Sequence, residues 1–177
     1  MDSRTGNLAV ANSNGDVAIF AEATGTPTFY PTKTLTGDPF NVTYDNNGNL
    51  YIASNRNRNH IAWLPYGASS VSKMRLRPVV PAHHIGLQYD GQYLTYLADG
   101  IYQYSLNGSK AKRKNIVSLY NICCKAGYFI QGSVAFVTGQ NVVYTFSYPA
   151  GGYYTSVIAG FTSQPYGLTV SVAPTRK

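Results

Sequence analysis

Two groups of residues in this 177-residue chain are of types that could do chemistry. The first is an acid, two imidazoles, a thiol and an amide: Asp38, His83, His84, Cys124 and Gln164. Imidazole, thiolate and carboxylate together can hold a zinc-like ion or fix a small ligand, provided the fold draws them to one point. The second group is cationic. Positive charge is concentrated in "NRNRNH" at 55–60, "KMRLR" at 73–77 and "KAKRK" at 110–114. Arg56, Arg58, Lys112, Arg113 and Lys114 would form a patch for an anionic polymer, held by a salt-sensitive attraction. Lys and Arg on outer strands also guard sheet edges against pairing, so the same runs have a purely structural use.

Nucleophilic and acid–base catalysis find little support. There is no G-x-S-x-G elbow, and His60, His83 and His84 have no evident Ser and Asp partners. No pair of carboxylates emerges for acid and base work. Glu22 is the sole glutamate, while Asp45, Asp90 and Asp99 stand beside turn residues, where a carboxylate bonds its own backbone. The adjacent Cys123 and Cys124 cannot build a disulfide framework, because neighbouring residues bridge only through a strained ring. Aromatic residues interleave poorly with the basic runs, which disfavours single-stranded nucleic acid as a partner. Tyr153 and Tyr154, following Gly151-Gly152, would suit protein or carbohydrate contacts.

The elements that must position these residues follow from a repeat. "DNNGNLYIASN" at 45–55 restates "DSRTGNLAVAN" at 2–12, and four segments align with anchors at Leu8, Leu50, Leu94 and Val134, separated by 42, 44 and 40 residues. Each of the last three anchors is preceded by another apolar run, "FNVTYD", "IGLQYD" or "GYFIQG", and by a turn rich in Gly, Asp or Asn, as antiparallel hairpins require. Within the runs both faces are apolar: Leu50 and Ile52 fall on one side, Tyr51 and Ala53 on the other, as in a sheet covered on both faces. A content of 44% hydrophobic, 14% aromatic and only 12% charged residues suits short strands better than salt-bridged helices. No apolar run approaches the ~20 residues of a membrane-spanning helix, and the chain reads as soluble, without a transmembrane segment. Its formal net charge of +7 makes an anionic partner reasonable.

Antiparallel units of about 42 residues, four strands each, predict an all-β fold of the β-propeller type: a single domain over 1–177, with units at 1–37, 38–82, 83–122 and 123–163 and a closing strand at 164–173. Four blades would form either a closed ring or a partial array of a larger propeller. A partial array would leave strand edges open and lead to oligomerisation. Aligning the first strands on Asn41, Gly86, Gly127 and Gly167 puts Asp38, His83, Cys124 and Gln164 at equivalent positions around one channel mouth, with His84 beside them.

The phrasing of "DSRTGNLAVAN", "DVAIF" and "GTPT", echoed in "YDNNGNLYIAS" and "FSYPAGG", resembles bacterial NHL-type and gluconolactonase-like repeat propellers over nearly the whole chain. That resemblance implies a scaffold used as a binding platform in some members and as a metal-dependent lactonase in others, and a location outside the cytoplasm. The expected function is a non-catalytic binding module without a cofactor, its protein, glycan or small-molecule ligand held at the channel mouth. The alternative is a lactonase-like hydrolase, which the resemblance would give a divalent ion on acidic and amide side chains.

Overall fold

The computed structural model describes residues 1–54, 60–80, 85–123, 125–166 and 168–169. The fold is all-β, with short helical turns among the described residues at Ala21–Ala23 (3-10) and Lys33–Thr36 (α), in two compact units, Met1–Ile116 and Val117–Lys177. Among the described residues no helix is long and apolar enough to cross a membrane.

The repeated phrase is a repeated turn. In the second copy the Asp45 carboxylate accepts the backbone N–H groups of Asn47 (2.8 Å) and Asn49 (2.9 Å), Gly48 sits at φ 79°, and the strand begins at Leu50. In the first copy Asp2 accepts the N–H of Arg4 (3.0 Å) and the Thr5 hydroxyl, Gly6 sits at φ 73°, and the strand begins at Leu8. A carboxylate able to bond its own downstream backbone, followed by a glycine at positive φ, is what makes each turn tight.

From the first turn, β1 (Leu8–Ala11), β2 (Asp16–Phe20) and β3 (Thr28–Pro31) form a three-stranded antiparallel sheet with β2 in the middle. The next strands are β4 (Pro39–Tyr44), β5 (Leu50–Ser54), β6 (His60–Leu64) and β7 (Ser72–Arg77). They are followed by β8 (Ile85–Tyr89), β9 (Leu94–Leu97), β10 (Gly100–Asn107) and β11 (Lys110–Ser118). All eight belong to one mixed sheet in the order β4-β5-β6-β7-β11-β10-β9-β8, joined at its centre by the parallel pair β7 and β11. Its two end strands approach each other, with the Tyr89 N–H donating to the Thr43 hydroxyl at 3.1 Å, so the sheet nearly closes as a barrel.

Alternation decides what this sheet buries. Tyr51 and Ala53 of β5 point into a core with Ile61, Met74, Leu76, Leu94, Tyr96 and Tyr104. Leu50 and Ile52, on the opposite face, pack in a second core with Val17, Ala62 and Leu64, against Ala9 and Ile19 of the three-stranded sheet. Both faces of β5 are therefore buried, as its doubly apolar sequence requires, and each fully buried aliphatic side chain contributes ~1.5–3 kcal/mol.

In the second unit β12 (Tyr128–Gln131), β13 (Val134–Thr138), β14 (Val142–Ser147) and β15 (Ser156–Ala159) form an antiparallel meander around Ile130, Ala135, Val137, Val143 and Phe146.

This architecture corrects the expectation of a β-propeller of four four-stranded blades. The first sequence repeat contributes three strands, and the second and third repeats are fused edge to edge through β7 and β11 into one eight-stranded sheet. The expected closing strand at 164–173 lies partly outside the described residues, and its described part carries no strand. The physical reason lies in the edges. Hairpin spacing and two-sided burial are the same whether meanders stack as separate blades or share a sheet, and only the pairing of their outermost strands distinguishes the two.

Candidate anion-binding groove

β7 alternates strictly. Met74 and Leu76 are buried in the core, leaving Lys73, Arg75 and Arg77 exposed on the other face. β11 begins in the same way, with Ala111 buried and Lys110, Lys112 and Lys114 exposed. The parallel register places Lys110 against Arg75, Ala111 against Leu76 and Lys112 against Arg77. The buried rung thus lies between two rungs that each oppose a guanidinium and an ammonium. The Arg75 N–H donates to the Ser109 carbonyl at 3.2 Å, and the Ser105 hydroxyl to the Lys112 carbonyl at 3.2 Å, which ties the β10–β11 turn to this seam.

A cavity of about 780 Å³ opens over the seam. Lys73, Arg75, Arg77, Lys110, Lys112 and Arg113 line it, together with the uncharged Ser105, Asn107 and Ser109. Nothing acidic is among these residues, and the sequence says why: there is no Asp or Glu between Asp45 and Asp90, and none after Asp99. Arg113, half-buried, lies with its guanidinium carbon 5.5 Å from the centre of the Tyr102 ring, a cation–π contact. Tyr102 in turn donates to Asp99 Oδ1 at 2.7 Å. Burial, then the hydrogen bond to Asp99, pushes the Tyr102 hydroxyl up to about 12. Burial likewise raises Tyr104 to about 12 against the opposing pull of Arg113, and its hydroxyl donates to the Pro78 carbonyl at 2.9 Å.

Of the cations expected to form an anion-binding patch, Lys112 and Arg113 line this groove, and Lys114 is exposed further along β11. Arg56 and Arg58 lie outside the described residues. Lys73, Arg75, Arg77 and Lys110 belong to the site as well. Their signal was present in the sequence, where "KMRLR" and the start of "KAKRK" alternate cation and apolar residue with the period of a strand.

The channel-mouth group fares differently. Its convergence rested on equivalent blade positions and lapses with them. Asp38 precedes β4 in the first unit, with its Oδ1 4.0 Å from Lys33 Nζ, whereas Gln164 follows β15 in the second. His83, His84 and Cys124 lie outside the described residues. Among the described residues no three His, Cys, Asp or Glu side chains group as a metal site would need.

Asp45, Asp90 and Asp99 act as turn formers. Asp45 takes, besides its two backbone N–H groups, the Asn49 amide and the Tyr51 hydroxyl, each at 2.9 Å. Asp90 accepts the N–H groups of Gln92 (2.8 Å) and Tyr93 (2.6 Å), and Asp99 accepts that of Gly100 (3.1 Å). In the second unit the exposed Tyr153 stacks edge-on against Tyr120 at 5.4 Å, and Tyr154 tilts against Tyr144 at 5.1 Å. Compared with known proteins, the chain matches no family model and no curated sequence.

Proposed function

We propose that the chain is a non-catalytic binding module whose ligand is anionic and lies in the groove over β7 and β11. The observation that carries this reading is the registered opposition of like charges, Arg75 to Lys110 and Arg77 to Lys112. Like charges directly opposite in a sheet destabilise it. A sheet that aligns them along a concave surface gains a focused positive field, which concentrates an anionic ligand and steers its approach. The cavity volume falls in the range of ligand pockets. A binding role also agrees with Asp45, Asp90 and Asp99 being engaged by their own turns, which leaves them poorly placed for acid–base work.

The test is retention on a dextran sulfate resin over a salt gradient, for the natural chain and for one carrying Arg75→Gln, Arg77→Gln, Lys110→Gln and Lys112→Gln. Retention that is lost with salt, and lost again in the variant, supports the reading. Equal elution of the two proteins overturns it.

A further inference from the structure

The groove's lining bears on which anion it takes, and, resting on the anionic reading above, we infer that its ligand is an acidic polysaccharide: a linear chain of sugar rings bearing sulfate or carboxylate groups. Three features of the lining lead to this class.

The first is spacing. The Arg75·Lys110 and Arg77·Lys112 rungs are two residues apart in a parallel pair, which is ~6.6 Å at the usual strand rise. Lys73 continues the row at the same interval, giving a cationic track ~13 Å long from Lys73 to Arg77. A track of this kind fits anionic groups borne on successive units of an extended chain. A single compact phosphate would engage one rung and leave the others repelling each other.

The second is chemistry at each rung. One partner is a guanidinium, whose planar fork matches a carboxylate or sulfate through two hydrogen bonds, and the other is a lysine acting as a point charge. The third is what stands between the charges. Ser105, Asn107 and Ser109 line the groove with small neutral hydrogen-bonding side chains, the complement of ring hydroxyls. No aromatic side chain is among the described lining residues. Single-stranded nucleic acid is held in large part by bases stacked on such side chains, and the groove does not provide for them. A duplex is read by an element that protrudes into its groove, whereas this surface is concave.

The experiment measures binding of a size-defined, heparin-type sulfated hexasaccharide, of its desulfated counterpart, and of an oligothymidylate carrying the same number of charges, all at one salt concentration. The expected result is preference for the sulfated sugar over the oligothymidylate by about tenfold, ~1.4 kcal/mol, with the desulfated sugar unbound. The charge-conserving double variant Arg75→Lys, Arg77→Lys should lose several-fold on the sulfated sugar through loss of the forks. Circular dichroism confirms that it is folded. Equal or tighter binding of oligothymidylate overturns the polysaccharide assignment while leaving the anionic groove standing. Failure of both charged probes to bind overturns the anionic groove as well.

Discussion

Arg75 and Lys110 are register partners across the parallel pair β7 and β11, with Arg77 and Lys112 opposed in the same way two residues on. Among the described residues none of the four is ion-paired to a carboxylate, so their repulsion is balanced only by solvent and by the burial of Met74, Leu76 and Ala111 beneath them. Replacing Lys110 and Lys112 together by threonine, a good strand former, should raise the urea midpoint, with up to ~1 kcal/mol relieved per pair, while binding to polyanion weakens. A lower midpoint in the variant would show that the lysines stabilise the seam, contrary to the view that they are kept for a ligand.

The same seam separates what the sequence makes legible from what it does not. The Asp-to-Gly turns, the hairpins they close, and the double-sided burial of Leu50, Tyr51, Ile52 and Ala53 could all be read from residue types, since each depends on neighbours in the chain. The pairing of β7 with β11 depends on residues more than 30 positions apart whose exposed faces are both cationic. Lysine-rich edges are usually read as guards against pairing. In this chain two such edges pair with each other, an outcome that local charge argues against. For the same reason the groove was visible in the sequence only in part, as Lys112 and Arg113, while its β7 wall was not attached to them.

Asp45 supports the turn before β5 and the buried Tyr51 hydroxyl at once. Asp45→Ala strips two backbone N–H groups and a buried phenol of a charged acceptor, and should cost ~3 kcal/mol or more by chemical denaturation. Tyr51→Phe removes the phenol together with its need for a partner and should cost ~1 kcal/mol. In the double variant the two losses should add up to less than their sum, because the phenol's demand disappears with it. Strict additivity would mean that Asp45 and Tyr51 do not share the interaction.

Alkaline pH should unfold this protein earlier than its net charge alone suggests. Tyr44, Tyr102 and Tyr104 are each raised by burial from the usual 10.0 to about 12. Below 10 the folded and unfolded chains both keep these protons, and stability is at its full value. As pH climbs from 10 towards 12 only the unfolded chain releases them, so stability falls across that window and levels off above it. Denaturation midpoints taken along this range should decline, and Tyr102→Phe with Tyr104→Phe should flatten the decline by about two protons. A decline as steep in the Tyr102→Phe, Tyr104→Phe variant as in the natural chain would sink this account.

Salt dependence can count the cations that meet a ligand, one at a time. A bound polyanion releases the counterions that its partner's charges replace, so the logarithm of the association constant falls linearly with the logarithm of salt concentration, by about one unit of slope per cation engaged. Single neutralisation of Arg75, Arg77, Lys110 or Lys112 should therefore lower the slope by about one and weaken binding at low salt more than at high. Lys33 supplies the internal control: it has the same formal charge but lies outside the groove lining, beside Asp38 at 4.0 Å. Lys33→Gln should leave the slope unchanged. If it instead lowers the slope as much as Lys110→Gln does, the chain attracts polyanions through its overall charge of +7, and the groove over β7 and β11 is not where they bind.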